Sequence, residues 1–170
     1  MNKRDYVMRA IHHEATDKVP YCIRLTKEAL DAYGDRLLQD YHNPEVMADL
    51  RKRTHYQGTG RRAVHWQLHD PRSHRLVELG VNILNPVQPE CMDLKFLKDT
   101  YGQHITFWGG ISTQGVLPFG TPGEVAAETQ RVIDLMSAGG GYITCSSQEI
   151  QTDVPYENLK ALIDTARANG

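Results

Sequence analysis

The second half of the sequence repeats one local pattern, a short apolar run followed by a helix-forming segment, and this alternation restricts the possible folds. The apolar runs span residues 81–84, 105–108 and 142–145, each close to glycine and each followed by apolar residues at helical spacing. Such runs indicate buried strands. Strands that alternate with helices through short connections form a parallel sheet. We therefore predict an α/β fold with parallel strands.

Three strand–helix units in this region fit part of a barrel or part of an open doubly wound sheet. A complete (β/α)8 barrel takes about 250 residues, whereas this chain has 170. The predicted fold class is therefore α/β, with partial TIM-barrel-like (β/α) units that are incomplete relative to a full (β/α)8 barrel.

The first fifty residues predict helices and one strand. A helix is expected from Asn2 to His13, and a strand at residues 21–25 follows the helix-breaking Pro20. Thr26 is a typical N-cap for a second helix, which we expect to end near Gly34. Asn43 and the proline after it predict the start of a third helix.

Residues 51–75 interrupt the regular pattern. They contain seven arginines and lysines, four histidines and a single acid, Asp70, without apolar periodicity. We interpret this block as an irregular basic linker or deletion junction between residues 1–50 and 76–170. A basic site for an acidic substrate is the less favoured alternative.

The composition excludes several classes of function. With 40% hydrophobic and 24% charged residues and a formal charge of −2, we expect a cytoplasmic protein that binds neither nucleic acid nor a membrane. The three widely spaced cysteines fit a reducing compartment. The expected partner is a small-molecule substrate, and a homodimer is possible.

The predicted functional face lies in the loops that follow the strands, because parallel α/β proteins bind ligands at the carboxyl ends of their strands. These loops carry Asn85, Gln88, Gln114 and Gln148. Amide side chains both donate and accept hydrogen bonds, which suits the orientation of a polar ligand. An equally weighted alternative is that they only cap loop backbone and helix ends.

The sequence predicts neither a metal site nor a catalytic residue. His65 and Gln67 have the spacing of a ligand pair, but glutamine is a poor zinc ligand and no second cluster completes the set. Cys145, Ser146 and Ser147 lack a neighbouring motif that would supply a base. We therefore expect no cofactor.

An ordered series of short motifs resembles the carboxyl-terminal part of the uroporphyrinogen decarboxylase family. Arg4, Ala10 and residues 17–20 are similar to the opening of the family. The series in the second half comprises residues 79–88, 92–93, 97–98, 101–102, 107–111, 119–122, 124–125, 139–143, 150–155 and 157–158. The resemblance implies a barrel fold and, as the activity, removal of carboxyl groups from a tetrapyrrole without a cofactor.

Several positions depart from the pattern of the family. Residues 21–27 lack the paired arginines that grip the substrate carboxylates, and Gln148 aligns with the carboxyl-terminal histidine of the family. The central strands are missing between about residues 51 and 75. In the related cobamide-dependent methyltransferases, a His-x-Cys zinc pair would fall at His65 and Gln67.

Four hypotheses follow for the function. The first is a uroporphyrinogen decarboxylase-like protein of porphyrin biosynthesis, with little or no activity because central strands and catalytic positions are missing. The second is a cobamide-dependent methyltransferase-like protein, which alone would require zinc. The third is a noncatalytic or nonfunctional fragment produced by an internal deletion. In the fourth, a second copy or a partner chain completes the barrel.

Overall fold

The computed structural model describes residues 3–41, 77 and 81–170, and the following account is limited to them. The predictions for a helix at Asn43 and for residues 51–75 lie outside the described residues. The elements in chain order are α1 (Lys3–Ile11), α2 (Lys27–Tyr41), β1 (Ile83–Val87), α3 (Leu94–Tyr101), β2 (Thr106–Ile111), α4 (Val116–Phe119), α5 (Pro122–Ser137), β3 (Tyr142–Ser146) and α6 (Tyr156–Asn169).

The three described strands form one parallel sheet in the order β1-β2-β3. Phe107 pairs with Leu84 on one side and with Tyr142 on the other. Each strand is followed by a helix, so the predicted (β/α) units are confirmed. The fold class predicted from the sequence, parallel strands in partial α/β units, is confirmed as well.

Residues 20–26, here called the first segment, lie along the free side of β3. Thr144 N donates to Pro20 O at 2.9 Å and Cys22 N donates to Thr144 O at 2.9 Å. A second contact, at Leu25 and Ile150, follows the end of β3. The predicted strand at residues 21–25 is therefore replaced by two isolated parallel bridges. Its position beside the last strand is the one that closure of a barrel gives to a first strand.

The helices bury one apolar layer against the sheet. Phe107 of β2 and Val132 of α5 are fully buried, and both belong to a single core cluster that also includes Leu97, Leu162 and Leu37. The last of these comes from α2, so the first forty residues and the carboxyl-terminal part share one core. None of the described helices is long and apolar enough to cross a membrane.

Helix α1 covers the amino-terminal edge of the sheet. Thr106, the first residue of β2, donates from Oγ1 to Ala10 O at 3.2 Å. The turn before β3 passes so close to the end of α1 that a Cβ at Gly140 would lie 2.9 Å from Glu14 O. The imidazole of His13 lies at this edge, where burial lowers its pKa. This side chain is thus at the opposite edge from the loops that follow the strands.

The structure corrects one helix end and adds one helix. Helix α2 continues past Gly34 to Tyr41, because Gly34 is buried within the helix and the apolar spacing continues to Leu37. The four-residue helix α4 was not predicted, since four residues are too few to show a helical period.

The amino terminus of α5 has a capping box. Thr121 Oγ1 accepts from Glu124 N at 3.3 Å, and Glu124 Oε2 accepts from Thr121 N at 2.7 Å. These hydrogen bonds from Thr121 lower the pKa of Glu124. The contribution of the ionised carboxylate is therefore present above the ordinary pKa of glutamate, and it is lost as the pH falls through the lowered value.

We expect Thr121→Ala to lower the free energy of unfolding by about 1 kcal/mol, because the first turn of α5 loses its side-chain cap. Urea denaturation at neutral pH measures the change. Thr121→Ser keeps the hydroxyl and should retain most of the stability. Equal losses in the two variants would contradict a role for the hydroxyl as a cap.

Candidate functional site

The carboxyl ends of the three strands lie at one edge of the sheet, because the strands are parallel. The residues that follow them, 88–93 after β1, 112–115 after β2 and 147–155 after β3, are here called the carboxyl rim. In parallel α/β folds this edge is where ligands bind. The carboxyl rim is therefore the candidate site.

Side-chain hydrogen bonds join the three parts of the carboxyl rim. The Ser112 hydroxyl donates to the carboxylate of Glu90, which links the rim residues after β1 and β2. Thr113 N donates to Ser147 Oγ at 3.3 Å, and the hydroxyls of Thr113 and Ser147 lie 3.0 Å apart. Ser147 is completely buried. The three loops therefore hold one another in a defined arrangement.

Two glycines near the end of β2 allow the strands to approach closely. Gly109 has φ 132° and Gly110 has φ 96°, a region that favours glycine. A Cβ at Gly109 would lie 2.8 Å from both N and O of Val87. The Tyr142 hydroxyl donates to Gly109 O at 2.8 Å, and burial raises the pKa of Tyr142. This tyrosine therefore anchors the backbone beneath the rim.

The face of the sheet that points away from α5 is here called the inner face. Tyr142 lies on the α5 side, since its hydroxyl and Val132 would both contact a Cβ at Gly110. Side chains alternate along a strand, so Ile143, Cys145 and the paired Trp108 lie on the inner face. Trp108 Nε1 is buried and has no hydrogen-bond partner among the described residues.

The first segment places a cation beside the carboxyl rim. Arg24 Nη2 lies 3.4 Å from Glu149 Oε1 of the carboxyl rim, with the two side chains 30% and 53% exposed. The backbone fixes this position, because Ile150 N donates to Arg24 O at 2.9 Å beside the rim residues after β3. A single long contact uses few of the five N–H donors of the guanidinium, so the others remain available to a ligand.

The predicted site residues have different environments. Gln114 and Gln148 are exposed in the carboxyl rim, and Gln88 is buried there with 8% of its surface accessible. Asn85 was predicted to lie in a loop, but it belongs to β1, where its Nδ2 donates to Trp108 O at 3.0 Å. The strand continues past Pro86 because β1 is an edge of the described sheet, where a missing N–H costs no ladder hydrogen bond.

Three functional candidates were missed by sequence reasoning. Arg24 lacked the paired-arginine context of the family, although a lone cation within the predicted first strand was a usable signal. Trp108 was assigned only to a strand. Glu90 was passed over in favour of the amides, although it lies in the same predicted loop.

No group of three or more histidine, cysteine or acidic side chains is placed to hold a metal within residues 3–41 and 81–170. His65 and Gln67, the pair that was weighed for zinc, lie outside the described residues.

The chain has three parallel strand–helix units, a first segment beside β3 and a rim built from loops. Together these features define part of a (β/α) barrel. A family model described as uroporphyrinogen decarboxylase (URO-D) matches residues 69–169, more than half of the chain. The chain therefore belongs to the uroporphyrinogen decarboxylase family. The comparison with curated proteins gave no match.

Proposed function

We propose that this chain is a uroporphyrinogen decarboxylase-like protein that binds a carboxylate-rich tetrapyrrole at the carboxyl rim. The observation that carries the proposal is Arg24, a partly exposed guanidinium that lies beside the rim. Its contact with Glu149 is long and partly exposed, and such surface pairs contribute little. A ligand carboxylate can therefore take the place of Glu149, since an arginine and a carboxylate form strong, directional hydrogen bonds.

The amides of the carboxyl rim suit the remainder of such a ligand. Gln114 and Gln148 are exposed, and each can donate to a carboxylate or accept from a pyrrole N–H. Asn85 uses its Nδ2 on Trp108 O, which leaves its Oδ1 as an acceptor. Trp108 adds an aromatic ring on the inner face and an N–H without a partner among the described residues.

Binding is a stronger expectation than decarboxylation. A uroporphyrinogen carries eight carboxylates, and several fixed cations are needed to hold them without water. Arg24 lies beside the rim, whereas Arg36 and Arg131 lie on helices and pair with Glu157 and Glu128. We therefore expect tetrapyrrole binding with little or no turnover.

We expect Arg24→Gln to weaken the binding of uroporphyrin, the oxidised octacarboxylate, by about tenfold, because a charge-assisted hydrogen bond is lost. Titration followed by porphyrin fluorescence measures the dissociation constant. Arg131→Gln removes the same charge from the outer surface of α5 and should change it less than twofold. A porphyrin with two carboxylates should bind more weakly and be less sensitive to Arg24.

Three results would contradict the proposal. If Arg24→Gln and Arg131→Gln weaken uroporphyrin binding equally, Arg24 acts only through the net charge of the protein. No uroporphyrin binding by the folded chain would favour the noncatalytic fragment. Stoichiometric zinc in the purified protein would favour the methyltransferase-like alternative, which requires a metal that the decarboxylase does not.

A further inference from the structure

Two cysteines about 120 residues apart in the sequence lie side by side where the first segment meets β3. Tyr21 is bridged to Thr144 in parallel orientation, and Cys22 N donates to Thr144 O at 2.9 Å. A cysteine follows each of these two paired residues, so Cys22 and Cys145 are the next pair in the register. The Cys22 side chain also raises the pKa of the Cys145 thiol, as expected for two neighbouring thiols.

The backbone spacing at this position suits a disulfide. Adjacent strands lie about 4.8 Å apart, and disulfides form at Cα separations of about 4.4–6.8 Å. Both side chains project from the same face, because residues that pair across neighbouring strands point to the same side. Little backbone movement is therefore needed to join them.

The two thiols differ in access to solvent. Cys22 is partly exposed, whereas Cys145 is completely buried. The hydrogen bond with Cys22 and burial raise the pKa of the Cys145 thiol. Because the thiolate is the reactive form, an external oxidant should react first at Cys22.

We propose that Cys22 and Cys145 form a reversible disulfide when the protein meets a small disulfide oxidant such as oxidised glutathione. The Cys22 thiolate attacks one sulfur of glutathione disulfide, which forms a mixed disulfide and releases one glutathione thiolate. Cys145 then loses its proton and attacks the Cys22 sulfur, which forms the intramolecular bond and releases the second glutathione. Two protein thiols are oxidised, one glutathione disulfide is reduced, and the two thiol protons pass to the two glutathiones.

The disulfide would fasten the first segment to the sheet. Without the disulfide, isolated backbone bridges hold this segment to β3 and to Ile150, which follows β3. The bond would close a loop that contains most of the chain, and long loops give the largest stabilisation of this kind. This inference does not depend on tetrapyrrole binding.

Intact mass after alkylation tests the proposal on the full chain. Native protein is incubated with oxidised glutathione, denatured, treated with N-ethylmaleimide and weighed. The reduced chain should take up three maleimides, one for each of Cys22, Cys91 and Cys145, and the oxidised chain should take up one. We expect the melting temperature to rise by about 5–10 °C on oxidation and to return on addition of dithiothreitol.

Matched variants distinguish this bond from other thiol chemistry. The Cys91→Ser variant should take up two maleimides when reduced and none when oxidised. Its melting temperature should still rise on oxidation. Cys22→Ser should lose that rise and leave Cys145 alkylatable after denaturation. Three reactive thiols after oxidation, a bond to Cys91 in a peptide map, or dimers linked by disulfides would each overturn the proposal.

Discussion

Replacing Gly109 with alanine is expected to lower the free energy of unfolding by about 3–5 kcal/mol, through backbone strain and overpacking. The residue has φ 132°, which L side chains rarely adopt. The new Cβ would also lie 2.8 Å from N and O of Val87. These are backbone atoms of the neighbouring strand, so no side-chain rotation relieves the contact. Chemical denaturation of the full chain measures the loss.

Gly123→Ala is the matched control for this prediction. Gly123 lies in the first turn of α5, and its nearest contact for an added Cβ is Thr121 Oγ1 at 4.0 Å. Alanine there should be neutral or stabilise the protein by up to about 1 kcal/mol, because alanine has the higher helix propensity. If Gly109→Ala unfolds at the same denaturant concentration as the wild type, the close approach of β1 and β2 does not constrain this position.

The elements of the second half could be predicted because their signals are local. Asp93 accepts from Phe96 N at the start of α3, and Thr121 forms the capping box of α5, so two helix starts follow from a few adjacent residues. The buried strands appear as apolar runs since both of their faces are covered. The parallel sheet then follows from the alternation alone.

No local signal in the sequence predicts the contact of the first segment with β3 and the loop that follows it. Arg24 and Glu149 are 125 positions apart, and the neighbouring cysteines have no motif of their own. Nothing in the composition of the first segment indicates that bridges would replace the ladder of a regular strand. Such contacts depend on which parts of the chain the fold brings together, so periodicity cannot reveal them.

The candidate site was predictable in position but only partly in content. Gln88, Gln114 and Gln148 lie in the carboxyl rim because strand ends fix where loops begin. The assignment of Asn85 to a loop was wrong, because the predicted strand ended with the apolar run at residue 84, whereas β1 continues to Val87. Whether these amides contact a ligand stays a prediction.

Replacing Asn158 with alanine is expected to lower the free energy of unfolding by about 3 kcal/mol, because two buried carbonyls would lose their donor. Asn158 is 1% exposed. Its Nδ2 donates to Leu117 O at 2.9 Å and to Gly120 O at 2.7 Å. These two hydrogen bonds join the first turn of α6 to α4, the short helix that follows the carboxyl rim. Urea denaturation near neutral pH measures the loss.

A surface control and a variant of the same shape test whether the loss at Asn158 comes from its hydrogen bonds. Asn82→Ala removes an exposed asparagine and should change stability by less than about 0.5 kcal/mol. Asn158→Asp keeps the shape, but its carboxylate repels both carbonyls, so the native state should raise the pKa of this acid. The stability of Asn158→Asp should therefore be greatest below the ordinary pKa of aspartate, about 4, where the protonated acid can donate, and it should fall as the pH rises through the raised value. A variant with wild-type stability at pH 7 would show that the two carbonyls do not depend on Asn158.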